Sequence, residues 1–77
     1  MKELIEYIVK ELVDKPENVK VEQNVPDEKT FELKIEVDRS DIGKVVGKQG
    51  KNINALRIIL TAVAAKKHHR ATLQVVE

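Results

Sequence analysis

The chain has no cysteine and no tryptophan, and among its 77 residues it holds three glycines, two prolines, one tyrosine and one phenylalanine. The shortages are informative. Without cysteine, no disulfide staples the fold and no thiolate serves as a nucleophile or a zinc ligand. No apolar run approaches the ~18 residues needed to cross a bilayer. The first fifteen residues carry at least five charges in an amphipathic pattern, which a secretory signal does not tolerate. The expectation is a cytoplasmic protein with no membrane contact.

Apolar residues make up 42% and charged residues 35%, the balance of a globular chain rather than a disordered one. The length admits a single domain, 1–77, with a small and economical core. Net charge is only +1 but unevenly distributed. Residues 1–38 hold six Lys/Arg against eleven Asp/Glu, and residues 39–77 hold eight against two, so the halves stand at −5 and +6. The basic half either faces a polyanion or neutralises its partner within the fold.

Leu4, Ile5, Ile8, Val9, Leu12 and Val13 form the apolar stripe of a helix over residues 2–14, which Pro16 prevents from continuing. Period-two alternation then gives strands over 19–25 and 31–37, joined by a turn at Val25-Pro26-Asp27-Glu28-Lys29. Gln23 interrupts the apolar face of the first strand and places it near an edge. Ser40 is a candidate N-cap for a short helix through Val46. Gly47-Lys48-Gln49-Gly50 breaks regular structure, because each glycine costs about 1 kcal/mol inside a helix. A longer helix spans 51–67, and Ala71, Leu73 and Val75 mark a third strand. The order α-β-β-α-α-β predicts an α+β fold in two layers, a three-stranded sheet with helices packed on one face.

Chemistry concentrates in Asp41-Ile42-Gly43-Lys44-Val45-Val46-Gly47-Lys48-Gln49-Gly50-Lys51-Asn52-Ile53. Two helices meet at a Gly-x-x-Gly turn, and the second begins there. A helix start presents unpaired N–H groups and partial positive charge to an anion. Glycines at both ends let a phosphodiester approach the backbone, Lys48 and Lys51 add charge, and Gln49 adds neutral donors. Neither G-x-x-x-x-G-K-[ST] nor G-x-G-x-x-G is present, so a nucleotide or dinucleotide site has no support. A bare Gly-x-x-Gly is also a common helix–helix turn.

The string Val45-Val46-Gly47-Lys48-Gln49-Gly50-Lys51-Asn52-Ile53 resembles the signature of the KH family, in which a hydrophobic pair precedes Gly-x-x-Gly and an isoleucine follows. The element order resembles the type II arrangement of that fold, and the likeness runs from Leu4 to Val76. Asp41 through Gly50 matches, without a gap, the corresponding run of the small stand-alone bacterial KH proteins of the KhpA group. That resemblance implies a non-catalytic protein that clamps the backbone of about four nucleotides of single-stranded RNA. Gly47, Lys48, Gln49, Gly50 and Lys51 would hold phosphates. Ile42, Gly43 and Val46 would floor a base groove, with Lys44 and Arg57 flanking it. It further implies a post-transcriptional regulator or RNA chaperone tied to cell shape, division and envelope synthesis. The partners implied are a second copy of the chain and a larger Jag-type RNA-binding protein. A KH-fold protein-interaction module with little RNA binding is the alternative. Tyr7 and Phe31, the only aromatics, lie outside the loop, which disfavours modules that stack bases on exposed rings.

The second long helix has more apolar residues than one buried stripe needs. Ile53, Leu56, Leu60, Val63 and Ala64 face the sheet, while Ile58, Ile59 and Ala62 are candidates for a dimer contact; Ile59 reads equally well as core. His68 and His69 are adjacent, so their side chains diverge, and no metal site or other cofactor is expected. The corner Lys66-Lys67-His68-His69-Arg70 reads as complementing a helix C-terminus in preference to meeting RNA. No nucleophile or acid/base pair is assembled, so neither an enzyme nor a small-molecule substrate is expected.

Overall fold

Alternation builds the sheet. In the computed structural model, which describes residues 2–76, strand β1 (Lys20–Asp27) pairs antiparallel with β2 (Thr30–Glu36). Strand β3 (Arg70–Val75) then joins β2 in parallel, giving the order β1-β2-β3. Met1 and Glu77, which the single-domain expectation includes, lie outside the described residues. Val21, Ile35 and Val75 fall on one row across the sheet, and Gln23, Leu33 and Leu73 on the next. Leu33, Ile35 and Leu73 are buried on this face. The other face is charged, with Lys20 opposite Glu36 and Glu22 opposite Lys34, pairings that favour this register.

Three helices cover the apolar face: α1 (Lys2–Leu12), α2 (Ile42–Val46) and α3 (Lys51–Lys66). Ile5 and Val9 from α1, Val45 from α2, and Ile53, Leu56 and Leu60 from α3 meet the sheet in one core cluster. Because β2 and β3 are parallel, the chain needs a crossover between them, and α2 and α3 supply it. The α+β order α-β-β-α-α-β is that expected.

Local boundaries differ from expectation for definite reasons. Helix α1 ends at Leu12, two residues early, and Pro16 opens a 3₁₀ turn, Pro16–Asn18. Leu4, expected in the buried stripe, is exposed. Strand β1 runs through Pro26 to Asp27. This is tolerated because β1 is an edge strand whose register shifts between Asn24 and Asp27, so no ladder bond is lost at the proline. The five-residue turn shrinks to Glu28 and Lys29. There the Asp27 carboxylate accepts the Lys29 N–H at 2.7 Å and the Thr30 hydroxyl at 3.2 Å. Ser40 is not the cap. Asp38, two residues earlier, accepts the Ser40 N–H at 3.0 Å and its hydroxyl at 2.6 Å, and Ser40 lies inside a 3₁₀ turn, Arg39–Asp41, that leads into α2.

Candidate nucleic-acid interface

The turn between α2 and α3 is built from backbone that few residues adopt. Gly47 has φ +79°, Gln49 φ +57° and Gly50 φ +76°. Gly47 is irreplaceable twice over. Its φ is positive, and a Cβ there would lie 2.7 Å from the Asn52 backbone nitrogen and 2.9 Å from the Asn52 Cβ. At Gly50 the added carbon would have ordinary space, 3.5 Å from the nearest atom, so only the left-handed φ demands glycine. Gln49 holds the same left-handed region with a side chain, a conformation uncommon outside glycine, asparagine and aspartate.

Hydrogen bonds decide which amides of the turn are available. The Gly47 N–H donates to the Gly43 carbonyl at 2.8 Å, and the Gly50 N–H to the Gly47 carbonyl at 3.1 Å. The Lys51 N–H donates to the Lys48 carbonyl. Among the described residues, the N–H groups of Lys48 and Gln49 have no backbone acceptor. Both residues are exposed, and neither side chain has a recorded hydrogen bond or ion pair within the described chain. Two adjacent amides without a backbone acceptor, one cation and one carboxamide therefore share the exposed tip.

Asn52 locks this geometry. Its Nδ2 donates to the Lys44 carbonyl at 2.8 Å, closing the C-terminal end of α2 against the first turn of α3. Asp41 locks the other end. It is 1% exposed, and its two carboxylate oxygens accept the N–H groups of Asp14 at 3.2 Å and Lys15 at 3.0 Å. The start of α2 is thereby tied to the chain leaving α1. Sequence reasoning placed both residues in the motif but gave neither a role; the only signal was a carboxylate and a carboxamide on either side of α2.

Other expected site residues are placed as follows. Ile42 and Val46 are half-buried on α2, and Gly43 is exposed beside them. Lys44 turns toward α1, pairing with Asp14 and lying 3.7 Å from Asp41 Oδ1. The Asp14 hydrogen bond holds the Lys44 ammonium above the usual lysine range. Arg57 reaches the edge of β3, donating from Nε and Nη2 to the Leu73 carbonyl at 3.4 and 3.3 Å, and from Nη1 to Asn54. Ile58, Ile59 and Ala62 are exposed on the outer side of α3, Ile58 at 70%. Ile59 is therefore not core.

The described residues hold no His/Cys/Asp/Glu group arranged to ligate a metal, and none of their helices is long and apolar enough to cross a membrane. A family model described as the KH domain of KhpA and KhpB matches residues 2–75. Curated relatives named RNA-binding protein KhpA align over nearly the whole chain. The protein from Chlamydia pneumoniae is 40% identical over 77 residues, covering 100% of this chain and 97% of its own. That from Aquifex aeolicus is 42% identical over 77 residues, covering 100% and 96%. That from Clostridium perfringens is 42% identical over 76 residues, covering 99% and 100%. No solved structure matches significantly. With its parallel third strand, its glycine-bounded turn and this full-length match, the chain belongs to the KhpA/KhpB KH-domain family.

Proposed function

We propose that the chain binds single-stranded RNA, with the 47–50 turn seated against the sugar–phosphate backbone of about four nucleotides. One observation carries this reading: among the described residues the adjacent amides of Lys48 and Gln49 have no backbone acceptor, and they lie between two glycines of positive φ. Phosphate oxygens satisfy such amides, and Lys48 and Lys51 supply the charge. Ile42, Gly43 and Val46 then line an apolar floor for bases, and Arg57 borders it beside β3. Lys44, paired with Asp14 and Asp41, joins the contact by exchanging a carboxylate for a phosphate. KH domains are binding modules and not catalysts, so the output is occupancy of RNA, consistent with post-transcriptional control in the cytoplasm.

Replacing Lys48 and Gln49 together by aspartate tests the clamp. Both positions are exposed, and aspartate tolerates the left-handed backbone of Gln49, so stability moves by less than about 0.5 kcal/mol. RNA affinity falls at least tenfold. The wild-type salt slope, with three phosphates at ~0.7 each, lies near −2. Unchanged affinity in the double variant refutes the clamp.

The exposure of Ile58 supports a second surface of contact. The outer side of α3, with Ile58, Ile59 and Ala62, joins two copies of the chain, or this chain and a larger Jag-type RNA-binding protein, and a dimer gains avidity from two grooves. Ile59→Asp yields a monomer by sedimentation. A wild-type chain that is already monomeric at high concentration removes self-association.

A further inference from the structure

Resting on the RNA-binding reading above, we propose that Lys66, Lys67 and Arg70 form a second phosphate-binding surface at the far end of α3. It extends the RNA footprint beyond the nucleotides held at the 47–50 turn.

The cluster is not needed to finish the helix. The last carbonyls of α3 are capped by backbone: the N–H groups of Lys67 and His69 donate to the Ala64 carbonyl at 3.0 and 2.8 Å, and the N–H of His68 to the Ala65 carbonyl at 2.9 Å. His68 makes this possible by taking φ +60°, the left-handed residue of a helix C-terminus. No side chain of the corner bonds those carbonyls, and the helix dipole is complemented by a single cation, whereas three are present. Lys66 and Lys67 are exposed and have no ion pair among the described residues. Arg70 lines a shallow pocket with Asp27, Glu28, Lys29 and Thr30, and its charge is offset in part by Asp27. Asp27 is itself committed to the Lys29 N–H and the Thr30 hydroxyl.

A path connects the two basic ends. The Arg70 and Val76 N–H groups donate to the carbonyls of Lys29 and Ile35 on the β2 side, so the even-numbered residues of β3 turn their backbone groups toward β2. Ala71, Leu73 and Val75 therefore turn their backbone groups to the open edge, where Arg57 covers the Leu73 carbonyl. Since α3 runs antiparallel to β3, a strand leaving the turn along this edge arrives at Arg70 and Lys67. Sixteen residues of α3 span about 24 Å. That is roughly the reach of four unstacked nucleotides at twice the 3.4 Å stacked rise. The corner meets the phosphates that follow.

The test titrates the full chain with uridine tetramer and octamer oligoribonucleotides across a salt series. An octamer offers several registers, so part of any tightening is statistical, whereas the salt slope is not. The octamer slope is expected to be steeper than the tetramer slope by about 1.4 to 2, two or three added phosphates at ~0.7 each. Lys66→Ala with Lys67→Ala lowers the octamer slope by about 1.4, two phosphates at ~0.7 each, and weakens octamer binding at least fivefold, with tetramer affinity held within about twofold. Equal slopes for the two wild-type probes overturn the proposal, as does an equal loss on both probes in the variant. The octamer slope of variant against wild type decides the matter even where the tetramer binds too weakly to titrate. Tetramer binding that is indifferent to Lys48→Asp with Gln49→Asp is a separate failure, that of the clamp.

Discussion

Replacing Gly43 by alanine should stabilise this protein and damage its binding, and the two effects follow from the same geometry. Gly43 lies in α2 with no positive φ, and a Cβ built on it meets no atom within 4 Å. Nothing in the chain itself demands glycine there. Alanine in a helix interior is favoured over glycine by about 0.5–1 kcal/mol, through backbone entropy lost by the unfolded chain. In a domain of this size that raises Tm by about 2–8 °C. The same methyl projects from the exposed surface between Ile42 and Val46, into the layer that the bases occupy under the RNA-binding reading. Displacing a packed base by a methyl group costs about 1 kcal/mol or more, a loss of affinity of at least fivefold. Thermal melting and fluorescence-anisotropy titration with one oligoribonucleotide, on the same preparation, measure both. A higher Tm with unchanged affinity refutes the placement of RNA on α2. A lower Tm refutes the reading of Gly43 as structurally unnecessary.

At Gly47 the opposite holds: Gly47→Ala drives a carbon against Asn52 in a left-handed backbone and destabilises by about 2 kcal/mol or more, read by urea denaturation. Gly50→Ala, with room for the methyl, pays only the conformational term of about 1–2 kcal/mol. Asp41→Ala removes the buried carboxylate that accepts the part-buried N–H groups of Asp14 and Lys15 and costs about 1–3 kcal/mol, with amide exchange rising first at residues 14 and 15. Asp38 and Asp27 have carboxyls held below the usual range, Asp38 chiefly by the Ser40 hydroxyl and amide, Asp27 chiefly by the Lys29 amide. A depressed folded-state value gives stability that is present above about pH 4 and lost as pH falls through the folded value. Asp38→Asn therefore flattens the acid limb of a Tm-against-pH curve below that point and leaves its slope near neutrality unchanged.

Much of the architecture was legible because burial is periodic. Phe31, Leu33 and Ile35 alternate with charges and mark β2, and Ile5 and Val9 mark the inner face of α1. The glycine-bounded turn was equally plain, since few roles need two glycines three residues apart at a helix start. What escaped notice depends on distant partners or on backbone alone. The contact of Asp41 with Asp14 and Lys15 joins residues 26 and 27 apart, and no local pattern encodes it. Asp38 and Ser40 are both good caps, and the choice rests on where the chain turns after β2. The pairing that draws Lys44 toward α1 comes from Asp14, thirty residues earlier. Gln49 carries no propensity signal for a left-handed backbone; the glycines on either side and the Asn52 clasp impose it. Pro26 misled because proline ends central strands but not edge strands.

The parallel pairing of β2 and β3 also governs the order in which the molecule assembles. The β1–β2 hairpin closes over two residues and forms within microseconds, whereas β3 must wait for the whole intervening segment to fold back on the sheet. The 47–50 turn lies within that returning segment, so the surface it shares with the edge of β3 is complete only when the last strand is in place. Under the RNA-binding reading, ligand and final strand reinforce one another, and RNA at a free concentration [L] stabilises the state with β3 in place by RT ln(1 + [L]/Kd).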